Sequence, residues 1–401
     1  MRIVRSVSLE CVLSNSQEPF VILPAARQRM PAQRLALFLG ITLTLAAATA
    51  VYVERARHLA TPVRTNSEVK AASAKLAAPA RPLAPPGPPQ LQQTLTKLAA
   101  RFKEPAGIAV SEVGKAWVAS VDGDRLFPQQ SVSKTWVALT VMDAVDHGRL
   151  RLSDPVVMRL QDRSVFYEPI TRRIGSKGYA TSVGELLQRA IIDSDNAAND
   201  RLMQLVGGAK VVKATLQAKG ISGIRVGGPE HDLQAWIAGL TWRPEIAGWK
   251  FKEVRALLPD AVRDAAEARY LADPPDGAEP AAVAQALSAL QRGRLLSQAS
   301  TQVLLDIMSQ VRTGRSRMRA ALPAHWSIAH KTGTGPDWRG GSVGINDVAL
   351  LTAPDGRTYS VVVMIRHTLQ PNSARRAFMH DVVRAVVEQW SAETGRKRSE
   401  A

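Results

Sequence analysis

The sequence predicts an α/β fold of the α+β type: an antiparallel sheet flanked by terminal helices, with an all-helical lobe inserted between its strands. Three observations carry this. Strand patterns occur early, over 107–121, and late, over 326–367. The long stretch between them reads mostly as helices. Amphipathic segments open and close the region, over 90–102 and 373–390.

Composition sets the outer bounds. The chain has 401 residues, 45% of them apolar, enough for a full core. Its single cysteine, Cys11, excludes an intramolecular disulfide and a multi-cysteine metal site. The seven histidines show no ligand spacing, so no metal or other cofactor is expected. The net charge of +17 is spread over many arginines. No basic stripe interleaved with aromatics accompanies it, so no nucleic-acid partner is expected.

Taken in order, residues 35–53, LALFLGITLTLAAATAVYV, carry no charge and come after Arg27, Arg29 and Arg34. The first 53 residues therefore read as a signal or signal-anchor segment. Ala48-Thr49-Ala50 suits cleavage, and nineteen uncharged residues also suffice to span a bilayer. Either way the rest of the chain is exported, giving a periplasmic or extracytoplasmic protein, secreted or tethered to the inner membrane. A start at Met30 would leave a compact leader. Residues 54–89, rich in Ala and Pro, read as a spacer. The folded domain is expected over 90–393, with 394–401 as a solvated tail.

Within that domain QLQQTLTKLAARF is a helix, and GIAVSEVGKAWVASV is two strands turning at Gly114. A helix starts at Ser131 and stops at Gly148. Ser182-Val-Gly-Glu185 is a capping box. WSIAHKTGTG, GINDVALLTA and TYSVVVMIRH are three strands, the last two joined at Pro354-Asp-Gly356. SARRAFMHDVVRAVVEQW closes the domain as a helix.

Three short motifs punctuate this layout. Ser131-Val-Ser-Lys134 opens a helix and puts a hydroxyl and an amine one turn apart on one face. A serine hydroxyl needs a neighbouring base to act as a nucleophile, and Lys134 can serve if burial lowers its pKa. Ser194-Asp195-Asn196 falls between two helices. Lys331-Thr332-Gly333 lies on a strand. In this order the chain resembles the serine β-lactamase and penicillin-binding-protein superfamily, whose motifs are Ser-x-x-Lys, Ser-Asp-Asn and Lys-Thr-Gly. FPQQSVSK, LSDPV at 152–156, TSVGELLQRAI and the glycine pair 207–208 resemble class A enzymes in particular.

The resemblance implies an acyl-enzyme on Ser131, formed with Lys134 and with the backbone N–H groups of Ser131 and Thr334 holding the oxyanion. It implies that Ser194 passes a proton to the leaving nitrogen and that Asn196 binds the substrate amide. Lys331, Thr332, Gly333 and Thr334 would receive the substrate carboxylate, and Gly333 and Gly335 would let a flat substrate approach the backbone. Asp195 is expected to hold its loop. Glu230-His-Asp-Leu233-Gln234 matches the family's Glu-x-x-Leu-Asn loop, with Glu230 as hydrolytic base and Gln234 in place of Asn. The arginine normally two residues before this glutamate is Gly228 here, so its salt bridge is missing. Glu245 is a weaker candidate base. His330 is expected on a strand surface.

A small-molecule β-lactam or cell-wall peptide is the expected substrate, handled by a monomer. A D-alanyl-D-alanine carboxypeptidase or transpeptidase, or a membrane-anchored sensor acylated without turnover, would use the same motifs. Residues 235–279 exceed the family's usual length and are expected to form a packed accessory insertion or a lid.

Overall fold

The computed structural model describes residues 84–399. Segment 35–53, most of the spacer and Cys11 lie outside these residues. Among the described residues no helix is long and apolar enough to cross a membrane.

The sheet comprises β1 (Ala106–Glu112), β2 (Ala119–Val121), β3 (Ser327–Gly333), β4 (Gly341–Thr352) and β5 (Thr358–Thr368), in the order β2-β1-β5-β4-β3 and antiparallel throughout. A two-residue strand, Asp337–Trp338, adds to β4. The early and late strands thus meet in one sheet, as the sequence predicts. The helices are α1 (Pro89–Phe102), α2 (Lys134–Asp146), α3 (Val183–Gln188), α4 (Asn196–Leu205), α5 (Ala209–Ala218), α6 (Glu230–Ala238), α7 (Trp249–Ala256), α8 (Asp260–Ala272), α9 (Pro280–Gln291), α10 (Gln298–Ser309) and α11 (Asn372–Ser399).

Two cores sandwich the sheet. On one face α1 and α11 bury Leu91, Leu95, Val382 and Val386 against Ile108, Val361 and Val363, and Phe102 stacks on Phe378 at 4.3 Å. On the other face the helical lobe packs around α2, which is buried continuously from Lys134 to Ala144. A helix apolar on all sides belongs in a core. Burial there leaves charged residues on α2 only where partners await them.

Four details differ from the expectation. The lobe is not all-helical: Pro155–Met158 pairs with Tyr179–Ser182, and Phe127–Pro128 pairs with Gly277–Ala278. Strands of two to four residues are too short to display a period. The ordered unit begins before Gln90, because the Val118 N–H donates to the Pro85 carbonyl and Pro86 bridges Val118. Proline lacks an N–H but its carbonyl still accepts. The closing helix runs on to Ser399 through the expected tail, helped by the Gln389–Glu393 and Arg357–Glu393 contacts. At the capping box only half forms. Ser182 Oγ accepts from Glu185 N–H, while the Glu185 carboxylate turns to Thr181, Tyr179 and Arg189.

Candidate active site

Ser131 sits in a 3₁₀ turn, Gln130–Ser133, that runs directly into α2. Lys134, the first residue of α2, is fully buried, and its Nζ lies 2.8 Å from Ser131 Oγ. The same ammonium is 2.5 Å from Glu230 Oε1. Sealed from water, it meets its two polar neighbours and little else, which is the condition under which a buried lysine is tolerated.

The second motif comes after a wide π turn, Arg189–Asp193. Ser194 adopts a left-handed φ of 60°, uncommon for a residue with a Cβ. Asp195 secures it: its carboxylate accepts from the N–H groups of Ile170 (2.7 Å) and Ala198 (2.9 Å). Burial pushes this carboxyl up to about 6 against those hydrogen bonds. Asp195 therefore holds the loop, as expected. Asn196 opens α4, and its amide donates to the Val165 carbonyl.

The third motif lies on β3, with Lys331 opposite Val348 and Gly333 opposite Asn346. Lys331 Nζ donates to Ser194 Oγ at 2.8 Å. Burial, then the nearby Lys134 charge, drives the Lys331 pKa well below its ordinary value. Thr332 Oγ1 is 2.6 Å from Thr313 Oγ1. The side chains of Ser131, Ser194, Asn196, Glu230, Gln234, Thr332 and Thr334 all face one cavity of about 310 Å³. Two buried lysines back it, each behind a serine.

Gly333 requires a correction: it does not line the cavity. A Cβ there would stand 2.3 Å from the Gln129 carbonyl, and one at Gly335 would stand 2.3 Å from the Val343 carbonyl and 3.0 Å from Gln130. Gly333 thus lets the Ser131 turn dock against the strand, whereas Gly335 packs closely on Val343 and Gln130 and also lines the cavity. His330 also differs from expectation. It is buried, with Nδ1 2.8 Å from Asp347 Oδ1. Glu245 is exposed and does not reach the cavity.

Glu230 begins α6 and is buried. Gly228 supplies no side chain to anchor this loop, so other groups do. Asp200, one helical turn beyond Asn196, accepts from Glu230 N–H (2.6 Å), from the Ser164 hydroxyl (2.7 Å) and from His231 Nδ1 (2.9 Å). At the other end, Asp276 accepts from Gln130 N–H (2.8 Å) and the Tyr270 hydroxyl (2.9 Å).

The family model described as the beta-lactamase enzyme family matches residues 90–390. The chain belongs to this family. It is 25% identical over 301 residues to the extended-spectrum β-lactamase PER-1 of Pseudomonas aeruginosa, covering 75% of this chain and 87% of that one. It is 27% identical over 307 residues to a β-lactamase of Amycolatopsis lactamdurans, covering 76% and 87%. The solved structure of an ancestral class A β-lactamase (GNCA) superposes with a TM-score of 0.58 at 30% identity, covering 75% of this chain and 99% of that one. The class A resemblance read from the motifs is upheld.

In this β-lactamase-family site several residues had no sequence motif to flag them. Arg317 donates to the carbonyls of Gly333 (2.9 Å) and Asn346 (2.6 Å) and to Thr334 Oγ1 (2.6 Å), bringing a cation to the end of the Lys-Thr-Gly strand. Gln130 holds a left-handed φ of 52° beside the candidate nucleophile. Tyr167 forms part of the cavity rim. Asp200 was within reach of sequence reasoning, since it is four residues from Asn196 on the same helix.

Proposed function

We propose that this cavity hydrolyses a β-lactam amide through an acyl-enzyme on Ser131. The observation that carries the reading is the position of Lys134 Nζ, within hydrogen-bond distance of both Ser131 Oγ and Glu230 Oε1, whose residues line one cavity. Lys134 passes a proton to Glu230 and, as the neutral amine, takes the Ser131 proton as Oγ bonds to the lactam carbonyl carbon. The oxyanion is met by the N–H groups of Ser131 and Thr334. As the carbon–nitrogen bond breaks, Ser194 gives its proton to the nitrogen and is resupplied by Lys331, and the proton held on Glu230 replaces the one Lys331 gave, which leaves Glu230 ionised. Thr332, Thr334 and the cations of Lys331 and Arg317 suit a substrate carboxylate. Glu230 then takes a proton from a water whose oxygen attacks the ester carbon. Ser131 Oγ leaves with a proton returned through Lys134.

The buried Glu230 favours hydrolysis over lasting acylation or peptide transfer. A carboxylate that only stabilised the fold would gain nothing from facing the cavity beside Gln234. Export by segment 35–53 and action as a monomer complete the proposal.

Incubating the full chain with a chromogenic cephalosporin tests it. Many turnovers are expected, with a transient adduct on Ser131 visible by mass spectrometry. Glu230→Gln should trap that adduct. A parent protein that forms no adduct, or a Glu230→Gln variant with parental turnover, defeats the reading.

A further inference from the structure

We propose that Tyr270, supplied by the long segment 235–279, is a positioning residue for deacylation: its hydroxyl sets the direction of a hydrogen-bond chain that turns the Gln234 carbonyl toward the water activated by Glu230. The inference rests on the acyl-enzyme reading above and concerns its second half.

The chain is continuous and buried. Tyr270 is fully buried on α8, and its hydroxyl donates to Asp276 Oδ1 at 2.9 Å and lies 3.1 Å from Oδ2. Gln130 Nε2 donates to the Tyr270 oxygen at 2.6 Å. Gln234 Nε2 donates to Gln130 Oε1 at 2.9 Å. Gln234 Oε1 is then buried with no hydrogen-bond partner among the described residues, in a side chain that lines the cavity beside Glu230.

Each link is dictated by the inventory of donors and acceptors. A carboxylate only accepts, so the single Tyr270 proton points to Asp276. The Tyr270 oxygen can then only accept, so Gln130 must present its NH₂ there and its carbonyl to Gln234. Gln234 answers with its own NH₂, which leaves its carbonyl for the cavity. A water giving one proton to Glu230 needs an acceptor for the other, and Gln234 Oε1 is that acceptor. Gln234 Nε2 also lies 3.4 Å from Glu230 Oε2, a longer and weaker contact. Without the Tyr270 hydroxyl, either orientation of Gln130 leaves a buried polar group poorly met, and Gln234 loses its fixed orientation. Segment 235–279 thereby reaches the chemistry without itself touching substrate.

Tyr270→Phe in the full chain tests this, with acylation and deacylation separated by stopped-flow and mass spectrometry on a chromogenic cephalosporin. The acylation rate should stay near the parent value while deacylation falls about tenfold, the scale of one lost buried hydrogen bond. KM and kcat should drop together with kcat/KM unchanged. In a Glu230→Gln background the substitution should add nothing. Parental deacylation in Tyr270→Phe overturns the inference, as does an equal loss in both steps, which is the mark of a purely structural role. Should Tyr270→Phe not fold, Gln130→Met cuts the chain one link further on, with the same split expected and the same results against it. Normal trapping in Glu230→Gln beside an unaffected Tyr270→Phe sinks only this inference. The absence of a Ser131 adduct in the parent sinks the acyl-enzyme reading beneath it.

Discussion

The floor and the wall of the cavity are built by different means. The floor, with Ser131, Lys134, Ser194 and Lys331, rests on α2, the turn before α4 and strand β3, and all three are embedded in the main cores. Apart from Ala278, which joins the main core, the wall formed by 230–279 packs through two small apolar clusters, one around Phe251 and one around Tyr270. Polar ties do the rest: Asp200, Asp276 and the contacts of α8 with the turn at Trp338. The floor's groups are fixed by packing that a point change disturbs little. The wall's groups are fixed by single hydrogen bonds, so its alignment is easier to alter than its presence.

That contrast is most sharply tested on the floor. Lys134→Met removes the amine from Ser131 and leaves Glu230 buried without its cation. A positioned proton acceptor contributes roughly 10²–10⁴-fold, so acylation should fall by that range in pre-steady-state measurements. A loss smaller than about tenfold would mean that another group takes the Ser131 proton.

On the wall, Phe251 is fully buried and meets Phe166 edge-on at 5.1 Å. Phe251→Ala should cost about 3–5 kcal/mol of stability if this cluster is rigidly packed. Denaturant melts give the value. A cost near 1 kcal/mol would place the wall far below the floor in packing quality.

Gly333→Ala probes the floor where β3 meets the Ser131 turn. The new Cβ would collide with the Gln129 carbonyl, a backbone atom that cannot swing aside. Both stability and acylation should fall, because the Ser131 turn must retreat from β3. Unchanged acylation in that variant would show that the Ser131 turn does not depend on this close approach.

Legibility in the sequence divides along the same line. Ser131–Lys134 and the Ser194–Asp195–Asn196 run are local, so each is visible as a motif, while their roles come from the family resemblance. Their approach to Lys331 required only the order of the elements and a known family pattern. Tyr270 and Gln130 are 140 residues apart, and neither carries a motif. Their meeting depends on how α8 packs, which no periodicity encodes. Gly333 departs from expectation for a related reason: a glycine announces a close approach but not what approaches. Asp347 likewise hid the burial of His330, since the pairing lies across two strands.

Acidity offers a smaller effect shared by both regions. Burial raises Asp195 on the floor and Asp276 in the wall, each to about 6. A carboxyl whose folded pKa exceeds its unfolded value near 4 binds its proton preferentially in the folded state. Stability should therefore rise as pH falls through about 6 and level off below about 4. Glu185, which burial would raise but Thr181, Arg189 and Tyr179 hold at about 2, acts oppositely only below its unfolded value. The window between is governed by the raised groups. Melting temperature should increase modestly from pH 7 to pH 5 in dilute buffer, and a decrease there would contradict the sign.

The smallest expected effect concerns the outermost tie. Asp264 on α8 accepts from Trp338 Nε1 (2.7 Å) and Arg339 Nε (2.8 Å), and the Arg263 guanidinium lies 3.2 Å from the centre of the Trp338 ring. These contacts join the wall to the turn just beyond Thr334, Gly335 and Pro336, three residues lining the cavity. Asp264 and Arg339 are exposed and screened by water, so Asp264→Ala should change stability little. The turn directly follows the cavity lining beside the Lys-Thr-Gly strand. KM for a substrate with a bulky group on that side should therefore shift several-fold, roughly the worth of such a contact, while kcat for a small penicillin stays put. Asp264→Asn keeps one acceptor and should restore part of the parental KM. Equal changes for bulky and small substrates would show that the tie only stabilises the fold and leaves the opening to the floor.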